Sequence, residues 1–425
     1  MKKKTKVIIP IAIAATLILG CIGGGAVLAF KKPGKIEGFD KAVTSLSEME
    51  IPEGTRIVAL GEATHGNREF QELKLEVFKE LVEKTEIRAF VLEGDMGGCA
   101  IANRYIQGGE GTAREATKHL GYRLYRTDQM CELVEWMREY NETAKEGDKV
   151  RLYGMDIQRT VDAITYLEDV YADLDPEKQE DYSSRLESII GLQDYEYDSV
   201  DLSRASALLK EIEQDLSDNS TSYEEKIGKD ELWIAGYAVK SINSALEYYI
   251  TDHSTHQARD TRMKTNVDLV LSREEAEYGG GIMMSCHNGH MTETQSSLVN
   301  FLGIYLNDEY GDAYFTIGTD YYNTTVNLPS ETGRVNVDLC SDDPLAYQLK
   351  DMDGDMYYLD LDQVDPGSKL GKTISSPMSM GSVGEANSPL YKVLKSTREI
   401  NLAPNKLYDA MILYYNVNPT EIWED

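Results

Sequence analysis

Short hydrophobic runs recur along the chain and predict buried strands. Five of these runs cover residues 56–61, 89–93, 150–156, 282–286 and 314–318. Short apolar runs bounded by polar or turn residues are typical of strands that are buried on both faces of a sheet. Two later runs, 356–361 and 410–415, are further strand candidates.

Between these runs the hydrophobic residues recur at helical spacing. Residues 67–84 repeat apolar side chains three or four positions apart, which places them on one face of a helix. Similar spacing predicts helices at 97–107 and 127–146, and a linker with a first amphipathic helix at 31–50. Residues 160–275 have a long, polar and helical pattern with no convincing strand.

Strands that alternate with helices indicate an α/β fold in which a mostly parallel sheet is flanked by helices. The stretch 160–275 interrupts this alternation, so we interpret it as a large helical insertion that covers one end of the sheet. We therefore predict one α/β domain over residues 36–425, preceded by a separate amino-terminal segment at 1–35.

The amino-terminal segment has the pattern of a membrane anchor. Lysines precede an uncharged run at residues 7–30, and Lys31 and Lys32 follow it. A run of this length can span about 30 Å of hydrocarbon as a helix. Because more lysine precedes the run than immediately follows it, the amino terminus is expected in the cytoplasm. We predict a single-pass signal anchor in the cell membrane, with the domain outside the cytoplasm.

Two alternatives remain for this segment. Residues 18–21 resemble a bacterial lipobox, in which Cys21 would be acylated after cleavage, and a plain cleaved signal peptide is the other alternative. The apolar run continues past Cys21, which favours the uncleaved anchor. The other cysteines form no CxxC pair, which excludes zinc-ribbon and thioredoxin sites, while one or two disulfides are permitted outside the cell. They are Cys99, Cys131, Cys286 and Cys340.

Charge narrows the classes of partner. The chain has 43 basic and 73 acidic residues, for a formal net charge of −30. Nucleic-acid binding requires a basic surface, so a nucleic-acid partner is excluded. The hydrophobic content of 41% and the charged content of 27% are those of a globular protein, which leaves small-molecule chemistry as the main candidate.

Three of the six histidines directly follow predicted strand ends. In open α/β sheets, ligands bind at the carboxyl ends of the strands. We therefore expect one edge of the sheet to collect a set of polar side chains from four strand ends. The set is Glu62, His65, Glu93, Asp156, His287 and His290.

These residue types suit proton transfer to and from water. A histidine beside a carboxylate can take a proton from water, and a second histidine can stabilise a developing oxyanion. No GxSxG elbow is present, which argues against a serine hydrolase of the α/β-hydrolase type. The same side chains also suit a divalent metal. His253 and His256 are interpreted as lying on a solvated helix face, and His119 as a structural or surface residue.

At these positions the chain resembles the erythromycin esterase family. The resemblance begins with Gly61-Glu62-Ala63-Thr64-His65-Gly66 and extends over roughly residues 40–420. Its further elements are Glu69-Phe70, Val91-Leu92-Glu93, Tyr153-Gly154-Met155-Asp156, Arg259-Asp260, His287-Asn288-Gly289-His290 and Thr316-Ile317-Gly318-Thr319-Asp320. The pairing of the first motif with the HNGH motif is specific, so the resemblance predicts an erythromycin-esterase-like fold.

The resemblance implies hydrolysis of a carboxylic ester, with a macrolide lactone ring, and hence antibiotic resistance, as the best-known case. It makes His65 the base that activates water, and Glu62 and Glu93 the carboxylates that orient His65 or hold the water. It implies no obligatory cofactor, although a divalent metal stays open. The residues expected to bind the small-molecule ester are His287, His290, Lys74, Asp156 and Arg259.

One departure from the family keeps the substrate open. The family tends to carry an arginine at the position of Lys74, and lysine lacks the planar fork that binds oxygen pairs. A non-macrolide ester is therefore an alternative to a macrolide. A second alternative is a haem- or metal-binding surface protein of related fold, which would bind a ligand and turn nothing over.

Overall fold

A computed structural model describes residues 32–189, 201–251, 256–294 and 301–424. The chain divides into two units, residues 1–32 and residues 33–425. The uncharged run at 7–30 and Cys21 lie outside the described residues, so the anchor stays a prediction. In the described ranges, no helix combines the length and the apolar character needed to cross a membrane.

The larger unit is built on one mixed sheet. Its strands, with those of a small two-stranded sheet, are β1 (Val43–Thr44), β2 (Ile57–Glu62), β3 (Ala89–Asp95), β4 (Arg151–Asp156), β5 (Ile282–His287), β6 (Tyr314–Ser330), β7 (Gly333–Cys340), β8 (Met356–Asp360), β9 (Met378–Gly381), β10 (Glu399–Leu402) and β11 (Ala410–Val417). The main sheet follows the order β1-β8-β11-β6-β2-β5-β3-β4, and β7 pairs with β6. The six strands from β11 to β4 are parallel, whereas β1, β7 and β8 pair antiparallel.

Strand β2 shows why its sequence forms a buried strand. Successive side chains of a strand point to opposite faces of the sheet. Ile57 and Ala59 belong to one hydrophobic core, whereas Val58 and Leu60 belong to the other. Both faces are therefore covered, which explains why this strand is an unbroken apolar run without alternating polar residues.

Helices cover both faces of the sheet. They are α1 (Phe39–Ala42), α2 (Arg68–Lys84), α3 (Met96–Ile106), α4 (Ala113–Lys118), α5 (Asp128–Thr143), α6 (Val161–Leu174), α7 (Pro176–Leu186), α8 (Leu202–Asp218), α9 (Ser220–Ile227), α10 (Lys229–Thr251), α11 (His256–Tyr278), α12 (Asn288–Met291), α13 (Leu302–Tyr310) and α14 (Lys369–Ile374). The apolar stripes of α2 and α5 pack in the core of Val58 and Leu60. Those of α6, α8 and α10 pack in the core on the opposite face.

The α/β fold class with a mostly parallel sheet is confirmed. Between β4 and β5 the chain forms helices α6 to α11 and, over the part of this stretch that the structure describes, no strand. This is the region in which the sequence predicts the helical insertion at 160–275. The predicted domain boundary near residue 36 stays a prediction.

Three predictions of local structure were wrong or incomplete. The amphipathic helix expected within 31–50 is only the short helix α1, because Val43 and Thr44 pair as a strand with β8. Strand β6 does not end at residue 318 but continues to Ser330, where a hairpin joins it to β7. Strands β7, β9 and β10 were also missed: β9 and β10 have only four residues each, and the alternating Val335, Val337 and Leu339 of β7 were overlooked.

A candidate active site at the carboxyl ends of the strands

The register of the parallel strands brings the predicted site together. Glu62 at the end of β2 lies opposite His287 at the end of β5. Strand β5 also pairs with β3, in which Leu92 lies opposite Ser285 and directly precedes Glu93. The ends of these three strands are therefore adjacent, although their residues are far apart in the sequence.

A close contact with the Asn288 side chain, and hydrogen bonds through Thr319, fix the end of β2 and the loop that follows it. A Cβ atom at Gly61 would lie 2.1 Å from Oδ1 of Asn288, so only glycine fits there without displacement. The Asn288 side-chain amide donates to the Thr319 carbonyl over 2.7 Å. The Thr319 hydroxyl in turn accepts from the Ala63 amide over 2.9 Å. The loop carrying His65 is thus tied to the loop carrying His287.

His65, Glu62 and Lys74 form a hydrogen-bonded chain. His65 Nδ1 donates to Glu62 Oε1 over 2.6 Å, and Lys74 Nζ donates to Glu62 Oε2 over 2.6 Å. Burial would raise the pKa of Glu62, but Lys74 and His65 outweigh it and lower that pKa to about 2. Glu62 is therefore ionised at neutral pH, and its two oxygens accept hydrogen bonds from His65 and Lys74.

This pairing fixes which nitrogen of His65 can act as a base. A carboxylate only accepts hydrogen bonds, so the proton of His65 is on Nδ1 and the lone pair is on Nε2. Burial opposes a charged imidazole, but Glu62 and Glu93 outweigh burial and raise the pKa of His65. His65 is thus oriented and made more basic by its surroundings.

Glu93 is held by Arg259 and by the backbone of the HNGH loop. Arg259 Nη2 donates to Glu93 Oε1 over 2.8 Å, and the His287 amide donates to Glu93 Oε2 over 2.9 Å. Arg259 also binds Asp156 with two donors, at 3.0 and 2.6 Å. Burial would raise the pKa of Glu93, but His290 and Arg259 lower it below its usual range. Glu93 is a second carboxylate that stays ionised.

His287 differs from the other two histidines because it is held neutral. Its Nδ1 accepts a hydrogen bond from the Gly289 amide over 3.1 Å, so the remaining proton is on Nε2. Burial, together with His65 and His290, lowers the pKa of His287 to about 3. Nε2 is shielded from solvent and has no hydrogen-bond partner among the described residues. The ring centroids of His287 and His65 are 5.0 Å apart, so this unpaired donor lies beside the base.

His290 forms a second histidine–carboxylate pair. Its Nδ1 lies 2.8 Å from Asp260 Oδ2, and Asp260 is fully buried. Burial opposes a charged imidazole, but Glu93 and Asp260 outweigh it and raise the pKa of His290. The site therefore has two basic histidines, His65 and His290, on carboxylates, and one neutral histidine near both.

The structure revises how two predicted substrate-binding residues take part. Lys74 is 1% exposed and Asp156 is 0% exposed. Lys74 lies behind Glu62 and Asp156 lies behind Arg259, so in this structure neither side chain reaches the surface that a substrate would contact. Both instead bind a neighbouring charged residue: Lys74 on helix α2 donates to Glu62, and Asp156 at the end of β4 accepts from Arg259.

Two site residues were not assigned a role from the sequence. Asp260 directly follows Arg259 in a motif, and its pairing with His290 becomes visible only when α11 packs against the HNGH loop. The Tyr122 hydroxyl donates to Asp156, and burial raises the pKa of Tyr122 well above its ordinary value, so it stays a donor. Tyr122 belongs to no predicted element or motif, so the sequence offers no signal for it.

His119 and the four described cysteines are not part of this hydrogen-bonded arrangement. For His253 and His256 the structure describes no side chain. The His119 side chain is 41% exposed and lies 3.5 Å from Asp162. His253 is outside the described residues, and the side chain of His256 is likewise not described. The cysteines Cys99, Cys131, Cys286 and Cys340 are free thiols. In the described ranges, no three His, Cys, Asp or Glu side chains are grouped to hold a metal ion.

Comparisons with known proteins show what this chain is similar to. The family model described as erythromycin esterase matches residues 82–417. An erythromycin esterase type II of Escherichia coli is 26% identical over 308 residues, which cover 65% of this chain and 72% of that protein. The putative hydrolase YbfO of Bacillus subtilis is 31% identical over 132 residues, which cover 31% of this chain and 28% of that protein.

Solved structures share the fold at low sequence identity. A Bacillus cereus protein has a TM-score of 0.72 at 22% identity, with 92% of this chain and 96% of that chain covered. A variant of the erythromycin esterase EreC in its open conformation has a TM-score of 0.59 at 17% identity, with 88% and 93% covered. The family match starts after the first motif, so His65 and Glu62 rest on the motif and the geometry. The match spans most of the chain, which therefore belongs to the erythromycin esterase family.

Proposed function

We propose that this protein hydrolyses a carboxylic ester with a water molecule that His65 activates. The observation that carries the proposal is the position of His65, which Glu62 holds at 2.6 Å and whose ring centroid lies 5.0 Å from the ring centroid of His287. A base and an oxyanion donor on the same small surface are the two groups that ester hydrolysis requires. Family membership supports the reaction class.

In this mechanism each histidine has a distinct task. His65 Nε2 takes a proton from water as the water oxygen attacks the ester carbonyl carbon. The resulting imidazolium is stabilised by Glu62, which Lys74 keeps ionised. The Nε2–H of His287 is shielded from solvent in this structure, and in the proposed mechanism it donates to the oxygen that becomes negative once the bound ester reaches it. The low pKa of His287 keeps the ring neutral, so Nε2 keeps its proton. Glu93, fixed by Arg259, orients the water from the opposite side.

A macrolide lactone is the first substrate to test, because the family and two relatives are named for erythromycin. A non-macrolide ester fits the same reaction equally well. Lys74 does not decide between these substrates, since it lies behind Glu62 and not on the exposed surface of the site. Substrate contacts are instead expected from the helices between β4 and β5 and from the loops around His287.

The test uses residues 33–425, which form a compact unit with both hydrophobic cores. Hydrolysis of erythromycin and of a panel of alkyl and aryl esters is followed by mass spectrometry for wild type and His65→Ala. Loss of the general base is expected to lower kcat/KM by about 10²–10⁴-fold. His119→Ala, a change at a half-exposed histidine, is the matched control and is expected to keep wild-type rates.

The same assays are repeated with a chelator. Ring opening of erythromycin by wild type and His119→Ala, but not by His65→Ala, supports a macrolide esterase. Cleavage of panel esters without ring opening of erythromycin supports a different ester as the substrate. Equal rates for wild type and His65→Ala would contradict the assigned base. Activity that a chelator abolishes and a divalent metal restores would contradict the expectation that no cofactor is obligatory.

A further inference from the structure

The surroundings of His290 give its outer nitrogen two different partners. Nε2 lies 3.2 Å from Arg259 Nη1 and 3.4 Å from Glu93 Oε1. Arg259 is a donor only, and Glu93, when ionised, is an acceptor only. A neutral His290 can therefore accept from Arg259 through Nε2, and a protonated His290 can donate to Glu93 through the same atom. Nε2 therefore keeps a hydrogen-bond partner whether or not it carries a proton.

Asp260 holds the other side of the ring in both states. Its Oδ2 lies 2.8 Å from His290 Nδ1 and also accepts from the Leu302 amide over 2.8 Å. Because a carboxylate fixes a proton on Nδ1, only Nε2 can exchange a proton during a reaction. The charged groups that face His290 come from three elements: Glu93 at the end of β3, Arg259 and Asp260 on α11, and His287 at the end of β5. The ring of Phe301 packs edge-on against it, with centroids 5.9 Å apart.

We propose that His290 is the general acid that protonates the leaving alcohol, and that Asp260 is the residue that positions it. This inference rests on the proposed ester hydrolysis, in which His287 is the donor to the carbonyl oxygen. It gives His290 a different task from His287. It divides the three histidines into a base, a fixed donor and an acid. The division follows from their partners: carboxylates for His65 and His290, and a backbone amide for His287.

The proposed step balances as follows for an ester RCO–OR′. Water loses one proton to His65 Nε2, its oxygen bonds to the carbonyl carbon, and the carbonyl electron pair moves onto oxygen. When the tetrahedral intermediate collapses, the bond to OR′ breaks, and OR′ takes the proton from His290 Nε2. The products are the acid and the alcohol, with His65 protonated and His290 neutral. Return of a proton from His65 to solvent and from solvent to His290 completes the cycle.

A series of esters with different leaving groups tests this role. General acid catalysis matters for a poor leaving group, such as an alkoxide, and much less for a nitrophenolate that departs without a proton. His290→Gln is therefore expected to lower kcat/KM on alkyl esters by about 10²–10⁴-fold, and on nitrophenyl esters by less than about tenfold. His287→Ala is the contrasting variant, because loss of an oxyanion donor is expected to slow both series alike.

Asp260→Asn tests the positioning role with a readout that misfolding would not produce. Without the carboxylate the pKa of His290 falls, so the alkaline limb of the kcat/KM profile on alkyl esters is expected to move to lower pH. Asp260→Glu is expected to restore part of the wild-type profile. Circular dichroism on each variant checks that the fold is kept.

Three results would overturn the assignment. Equal loss on alkyl and nitrophenyl esters in folded His290→Gln would show that His290 does not protonate the leaving group. An unchanged alkaline limb in Asp260→Asn would remove the role of Asp260. Wild-type protein that cleaves neither erythromycin nor any ester of either series would overturn the proposed function and this inference together, whereas the first two results overturn the inference alone.

Discussion

At the scale of single residues, the site depends on how each histidine is paired. His65 and His290 each face a carboxylate, whereas the Nδ1 of His287 faces a backbone amide. The carboxylates raise the pKa of the first two, and the lack of such a partner leaves burial to lower the pKa of His287. His287 therefore stays neutral over a pH range in which His65 and His290 bind a proton more readily than an ordinary histidine.

The pairing of His65 predicts the acid limb of the pH profile. His65 must be neutral to act as a base, and its pKa is raised, so kcat/KM is expected to fall as the pH drops toward and below neutrality. Glu62→Gln removes the carboxylate that raises this pKa, so the limb is expected to shift to lower pH with a lower plateau. His287 adds no limb there, because its pKa is about 3. A limb that stays in place in Glu62→Gln, measured from pH 5 to 9, would contradict the assignment.

Lys74 provides a prediction of stability. Lys74→Met leaves Glu62 buried beside an apolar side chain, and breaking a buried ion pair costs about 3–5 kcal/mol. In wild type the depressed pKa of Glu62 contributes stability that is full above the unfolded pKa near 4.5 and is lost as the pH falls toward about 2.

The measurement for Lys74 is urea unfolding between pH 3 and 8, together with kcat/KM. Lys74→Arg keeps the positive charge and carries the residue that the family tends to have, so a much smaller loss is expected. Equal stability of wild type and Lys74→Met at pH 7 would contradict the stabilising role of this pair.

At the scale of elements, the site depends on the segments that follow the parallel strands and on how close these segments lie to one another. The loop after β2 and the loop after β5 meet because Gly61 has no Cβ atom where Asn288 lies. Helix α11 adds Arg259 and Asp260 from the side, one to Glu93 and the other to His290. Small changes in the spacing of these elements would misplace several site residues together.

Gly61→Ala tests this close approach. The new Cβ atom would lie 2.1 Å from Asn288 Oδ1, so the Asn288 side chain must move and its hydrogen bonds with the Thr319 backbone are disturbed. We expect a loss of about 1–3 kcal/mol in the free energy of unfolding, the usual effect of overpacking, and a large loss of kcat/KM. Gly236→Ala in α10 is the matched control, since no heavy atom lies within 4 Å of its new Cβ atom. Wild-type activity in Gly61→Ala would contradict this account.

At the scale of the whole molecule, one sheet with a core on each face supports the site at its edge. The site draws on residues from β2, β3, β5 and α11, which are distributed through the larger unit. Residues 33–425 contain the sheet, both cores and every site residue described above. Over the residues that the structure describes, both cores are built from residues of this unit.

This organisation predicts that residues 33–425 fold and act without residues 1–32. We expect the truncated protein to unfold in a cooperative transition and to have the kcat/KM of the full chain on a water-soluble ester. The measurement is thermal unfolding by circular dichroism, with steady-state kinetics on both forms. Loss of the transition or of activity on truncation would show that the first 32 residues are needed for folding.

Much of this protein could be predicted from the sequence because the relevant signals are local. Buried parallel strands read as unbroken apolar runs, so β2, β3, β4 and β5 were placed within one or two residues. The motif residues His65, Glu62 and Glu93 follow strand ends, and the rule that parallel strands bring their carboxyl ends together predicted their meeting.

Only the tertiary structure decided the pairings within the site. Strand register and helix packing bring Lys74 to Glu62 and Asp260 to His290. They also bury His287 without a carboxylate on its ring nitrogens, which keeps it neutral. The four-residue strands β9 and β10 also escaped prediction, because such short strands are stabilised mainly by pairing with each other. The sequence by itself determined which residues could do chemistry, and the fold decided what each of them does, because a protonation state depends on neighbours that lie far away along the chain.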